Sequence, residues 1–134
     1  DPSVDVRTLK TASEFESYYK NLEELYKKDT YGGATPEETL ALFIDALKKG
    51  DTELASKYFV PEKQKQEAED LKEGMKSGGV PKLLELYNLN NLKKEYIDYV
   101  NEYYFNYLGQ NHTPGFLFKV GFNKNNKIWK IENL

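Results

Sequence analysis

Five tyrosines fall within twelve residues of this chain, at Tyr96, Tyr99, Tyr103, Tyr104 and Tyr107, and Asp98 stands among them. A carboxylate buried beside phenols holds its proton to higher pH, because burial penalises the charged form, and such a group can serve as a general base. Asp98 with Tyr99 or Tyr103 is therefore the one constellation here that could move protons. Taken without Asp98, the same rings form an amphipathic surface with apolar bodies and polar tips, suited to lining a pocket or meeting a partner. A half-buried sheet encoded in an AT-rich genome would also be rich in tyrosine, so the cluster has a purely structural explanation beside the functional one. An outward aspartate is the commoner state, and no catalytic residue is assigned.

Other chemistry is largely excluded. His112, in "GQNHTPG", is the sole histidine, and one imidazole cannot build a multi-histidine metal site. As a base it would need an orienting partner that the sequence does not reveal. The absence of cysteine removes disulfides, zinc–thiolate centres and thiol nucleophiles. No glycine-rich phosphate loop, nucleophile elbow or metal motif occurs, so neither a metal nor a cofactor is expected. The formal charge is −3, and every basic residue except Arg7 is lysine. Without the arginine forks that read phosphate and guanine, nucleic acid is not an expected partner. No apolar run approaches the ~20 residues that cross a bilayer. The chain begins at Asp1 rather than Met, which points to a processed leader or to upstream residues holding a signal or membrane anchor.

The elements that must position these residues are legible. A chain of 134 residues, 39% hydrophobic, suits one core. Residues 1–10 read as a lead-in segment and 11–134 as a single α+β domain. Thr11 and Glu14 make a capping box ahead of a helical recurrence of Phe15, Tyr18 or Tyr19, Leu22, Leu25 and Tyr26. "KKDTYGG" ends that helix. In "TPEETLALFIDALKKGDTELASKYF", Thr35 is an N-cap, Pro36 fits the first helical position and Leu40, Phe43, Ile44 and Leu47 form one stripe. Gly50 supplies a left-handed cap, and Asp51 starts a second helix burying Leu54, Tyr58 and Phe59. The charged run after Pro61 reads as a solvent-covered helix with a thin stripe of Ala68, Leu71 and Met75, fraying toward Gly78. "VPKLLELYNL" predicts a short helix burying Leu83, Leu84 and Tyr87.

Beyond Asn91 aromatic and β-branched residues favour strands near 94–100 and 102–109, although a helix is arguable there. "GFLFKVGFN" alternates cleanly. "NKNN" reads as a hairpin turn because asparagine tolerates positive φ. "KIWKIENL" returns with Trp129 and Ile131 on one face and Lys130 and Glu132 on the other. Helices first and antiparallel strands last imply an α+β fold with the N-terminal helices packed on the C-terminal antiparallel sheet.

Two of these stretches together resemble a known group. "TPEETLALFIDALKKGDTELASKYF" is similar to the opening helices, and "FKVGFNKNNKIWKIENL" to the closing hairpin, of small bacterial domains in the nuclear transport factor 2-like superfamily. The resemblance implies a curved antiparallel sheet wrapped by helices into a cone, often around an apolar pocket. It covers the two ends of 35–134. The leading helix and the polar helices from Pro61 to Leu89 depart from it. Members include lipoprotein-like and cystatin-like domains of unknown function, and also isomerases, cyclases and dehydratases with Asp, His or Tyr inside the cone.

The expected function is a non-catalytic extracytoplasmic binding or interaction domain, tethered to the membrane in a longer protein. The expected ligand-binding residues are Tyr96, Tyr99, Tyr103, Tyr107, Phe118 and Trp129, lining a pocket or the sheet face. The partner would be another protein, a small apolar ligand, or a second copy meeting through the sheet. The competing expectation is a small lyase- or isomerase-type enzyme using Asp98 and the pocket tyrosines.

Overall fold

The computed structural model of the chain describes residues 2–97, 101–107 and 116–134. Among them, helices α1 (Ala12–Lys28), α2 (Pro36–Lys48), α3 (Thr52–Ser56), α4 (Gln64–Ser77) and α5 (Gly79–Leu86) precede four strands. Strands β1 (Lys93–Ile97), β2 (Glu102–Tyr107), β3 (Phe116–Asn123) and β4 (Ile128–Asn133) form one antiparallel sheet in the order β1-β2-β3-β4. The α+β class and the helices-then-strands order follow the sequence expectation.

Local chemistry starts and stops the helices as the sequence implies. Thr11 Oγ1 accepts the Glu14 amide at 3.1 Å, and Thr35 Oγ1 accepts the Glu38 amide at 3.2 Å. The return contact of each box goes one residue further upstream, with the Lys10 and Ala34 amides donating to the Glu14 and Glu38 carboxylates. Gly50 ends the α2 turn at φ +74°, in the left-handed region that glycine enters without a Cβ penalty. Asp51 then accepts the Leu54 amide and opens α3. That helix is shorter than the sequence suggests. Tyr58 and Phe59 lie beyond it, and Phe59 pairs in parallel with Ile131 of β4. Rather than fraying, α4 stops sharply at Gly78, whose φ is +92°.

The core forms where α2 lies on the sheet. Leu40, Phe43, Ile44 and Leu47 are all buried, and the Phe43 ring meets Phe59 at 5.5 Å and Phe118 at 6.1 Å. Phe105, Val120 and Ile131 complete the sheet side. At roughly 25 cal/mol per Å2, each such side chain contributes about 1.5–3 kcal/mol of transfer free energy.

The two outer strands differ. The free edge of β4 is occupied: the Trp129 amide donates to Gly33 O at 3.0 Å, the Ile131 amide to Tyr58 O at 2.8 Å, and the Val60 amide to Ile131 O at 2.9 Å. Among the described residues strand β1 pairs only with β2, and its exposed Lys93, Lys94 and Glu95 are the charges that keep an edge from adding further strands.

The β3–β4 turn corrects one expectation. The residue with positive φ is Lys127, at +57°, not an asparagine. The asparagines act through their side chains. Asn123 Oδ1 accepts the Asn125 amide, while Asn123 Nδ2 donates to Tyr26 O at 2.9 Å. Asn126 Nδ2 donates to Lys27 O at 2.7 Å and also to Asp29 O. The turn therefore caps the otherwise unsatisfied carbonyls at the C-terminus of α1.

Candidate functional site

Strand pairing brings separated aromatic residues to one face. Tyr96 stands opposite Tyr103, Phe122 opposite Trp129, and Tyr103 opposite Val120, which faces Ile131. The rings run on from one another: Tyr96 to Tyr103 at 4.5 Å, Tyr103 to Trp129 at 5.2 Å and Trp129 to Phe122 at 5.1 Å. They extend the helix-covered face past the N-terminal end of α2. Tyr96 is exposed and the other three are half-buried. Lys94 Nζ sits 4.5 Å from the centre of the Tyr103 ring and pairs with Glu37 of α2. Thr39 fixes the Trp129 backbone by donating Oγ1 to Trp129 O at 2.8 Å.

Three of the six expected ligand-binding residues, Tyr96, Tyr103 and Trp129, thus share this strip. Phe118 does not. It is fully buried, packed on Phe43, Tyr87 and Phe116, because its place in the alternation puts it under α2. Tyr107 is placed by its backbone alone, paired with Phe116. Tyr99, Asp98 and His112 lie outside the described residues. Phe122, which the sequence reading left out, joins the strip through the same alternation that made "GFLFKVGFN" a strand.

A second feature was not legible. Between α4, α5 and the far end of the sheet lies a groove of about 660 Å3. Leu71, Val80, Leu83, Leu86, Phe116 and Leu134 give it an apolar lining, and Leu117, 42% exposed, stands at its edge. Gly74 lets α4 and α5 close up along one side of it: a β-carbon there would come 2.7 Å from Val80 Cγ2. The polar rim is Glu67, Asp70 and Lys82. Burial and the neighbouring Asp70 push the Glu67 carboxyl above its ordinary value. The sequence signal was present in the stripe of "VPKLLELYNL", but nothing in it says that the stripe is only half covered.

The opposite face of the sheet is polar and partly sealed. Lys130 lies on this face, opposite Trp129 and Ile131 as the alternation implies, and is 1% exposed because residues 29–31 fold over it. Its Nζ lies 2.9 Å from Asp29 Oδ2 and donates to Tyr31 O and Lys57 O at 2.5 Å each. Burial lowers its pKa, and Asp29 opposes that shift. Beside it, Lys119 Nζ lies 3.1 Å from Glu102 and 3.6 Å from Glu132. Burial, followed by the adjacent Glu102 carboxylate, pushes Glu132 up to about 7. Tyr26 donates to Glu62 Oε1 at 2.7 Å, and burial with that contact raises the phenol. Ion pairing holds this layer together, although Asp29 Oδ2 and Glu102 Oε2 are buried without a hydrogen-bond donor. Among the described residues no cluster of three or more His, Asp or Glu side chains is placed to hold a metal ion. No described helix is long and apolar enough to cross a membrane.

Against family models, curated proteins and solved structures, the chain finds no match.

Proposed function

We propose that the chain is a non-catalytic binding domain of the nuclear transport factor 2-like type, with a sheet curved into a cone, working outside the cytoplasm. Its cargo is a small apolar ligand held in the groove between α4, α5 and the end of the sheet. The observation that supports this is the groove itself: about 660 Å3 is within the range of ligand sites, and its lining is apolar with a few polar groups at the rim. The half-exposed aromatic strip offers a second contact surface of the kind that protein partners use.

The test is a titration of the purified chain with 1-anilinonaphthalene-8-sulfonate at neutral pH, in parallel with Leu83→Arg, which places a charge in the lining. Saturable binding near one probe per chain, lost in the variant while its far-ultraviolet circular dichroism is unchanged, supports the reading. No saturable binding, or equal binding by the variant, sinks it.

A further inference from the structure

We infer that α1 is a self-association surface through which two copies of this chain pair antiparallel.

Helix α1 is amphipathic and none of its residues is buried. Tyr19 is 55% exposed and Phe15 39% exposed, values unusual for large rings in a helix that is otherwise well capped. At 100° per residue, Phe15, Tyr19, Leu22 and Tyr26 lie within an arc of about 60°. The tertiary contacts leave this arc half covered. Tyr18 OH donates to Pro2 O on one flank, and Tyr26 reaches Glu62 at the C-terminal end. The other flank, which carries Glu16, Lys20, Glu23 and Lys27, is exposed throughout.

The order of those charges commits the surface to one occupant. In an antiparallel pair related by a two-fold axis, each flank meets the same flank of its partner with the direction reversed. Centred on Asn21, that reversal brings Glu16 within one residue of Lys27 and Lys20 within one residue of Glu23, each pair occurring twice. The same centre brings Phe15 within one residue of Tyr26 and Tyr19 within one residue of Leu22. The apolar and charged pairings thus agree to within one residue, a rise of about 1.5 Å that side chains span, and the helix dipoles run opposed. In a parallel pair the two charged flanks would instead fall on opposite sides of the seam and could not meet. Within one copy Lys27 Nζ lies 3.5 Å from Glu23 and 3.7 Å from Glu24, a solvent-screened arrangement that keeps its side chain on this flank. One helix pair is a small interface, so the association is weak and concentration-dependent. The surface shares no residue with the groove, and the inference stands apart from the ligand-binding reading.

Sedimentation velocity on the 134-residue chain, from about 10 µM to about 1 mM, reads the equilibrium directly. A reversible monomer–dimer equilibrium that weakens with added salt is expected. Tyr19→Lys should weaken it at least about tenfold. Glu16→Lys and Lys27→Glu should each weaken self-pairing, whereas the two variant chains mixed in equal amounts should pair with one another. Circular dichroism checks that α1 persists in each variant, and Tyr19→Ser replaces any variant that loses it. A monomer across the whole range overturns the inference. So does a dimer indifferent to the α1 substitutions, which would place the contact elsewhere, for example along the β1 edge. Equal weakening in the mixed sample overturns the antiparallel register.

Discussion

Lys130 Nζ meets Asp29 Oδ2 at 2.9 Å with the two side chains only 2% and 5% exposed. The ammonium also donates to two backbone carbonyls, from residues 31 and 57. The pair ties the segment after α1, the segment after α3 and strand β4 into one joint. Lys130→Ala should therefore cost about 3–5 kcal/mol, because it leaves the Asp29 carboxylate buried and unpaired. Combining Lys130→Met with Asp29→Asn should recover part of that loss by removing both charges. Urea unfolding of the three proteins checks this, and a near-neutral Lys130→Ala would contradict it.

Glu132 predicts a pH dependence. Its folded pKa of about 7 exceeds the ordinary 4.5, so between these values the folded state holds a proton that the unfolded state has released. The stability from that proton is fully present below about 4.5 and is lost as pH rises toward about 7. The side chain is 31% exposed, so solvent screening reduces the swing to about 1–2 kcal/mol. Glu132→Gln should flatten this part of the profile and be the more stable protein at pH above about 7. Chemical denaturation at a series of pH values measures both effects.

Asn126→Ala should release the C-terminus of α1. The amide of Asn126 donates to carbonyls of Tyr26, Lys27 and Asp29, and its loss returns them to water. The expected cost is about 1–2 kcal/mol. Amide exchange should quicken in the last two turns of α1 while α2 is unchanged. Uniformly faster exchange would mean that the turn supports the whole fold rather than this helix.

Two glycines should respond differently to the same substitution. A β-carbon on Gly32 would overlap the carbonyl oxygen of Trp129 and press on Ile128, so Gly32→Ala must push the segment away from β4. Gly50 has open space around it, and alanine there meets only the unfavourable backbone at φ +74°. Gly32→Ala is expected to cost about 2–3 kcal/mol and Gly50→Ala about 1 kcal/mol. Thermal unfolding ranks them, and a reversed order would show that the β4 edge is more yielding than its hydrogen bonds imply.

Much of the fold was legible because its signals are local. Thr35, Pro36, Gly50 and Asp51 act on backbone groups within a turn of themselves, and the Leu40–Leu47 stripe needs only helical periodicity. The candidate surfaces were legible in part. Alternation alone put Tyr96, Tyr103 and Trp129 on strand faces, but it could not tell a ring beneath α2, such as Phe118, from one beyond its end, such as Trp129. The groove escaped because Leu83 and Leu86 look the same in sequence whether their stripe is covered or open.

The sequence by itself determined the α+β order, the caps and breaks of the helices and the alternation of β3 and β4, since each depends on residues a few positions apart. Tertiary structure alone decided that Lys130 is sealed against Asp29, that Asn126 caps a helix ending 98 residues earlier at Lys28, and that Val80 and Phe116 line a common groove. These relationships join residues distant along the chain. Burial and partnership are properties of what folds over a residue, and no local pattern carries them.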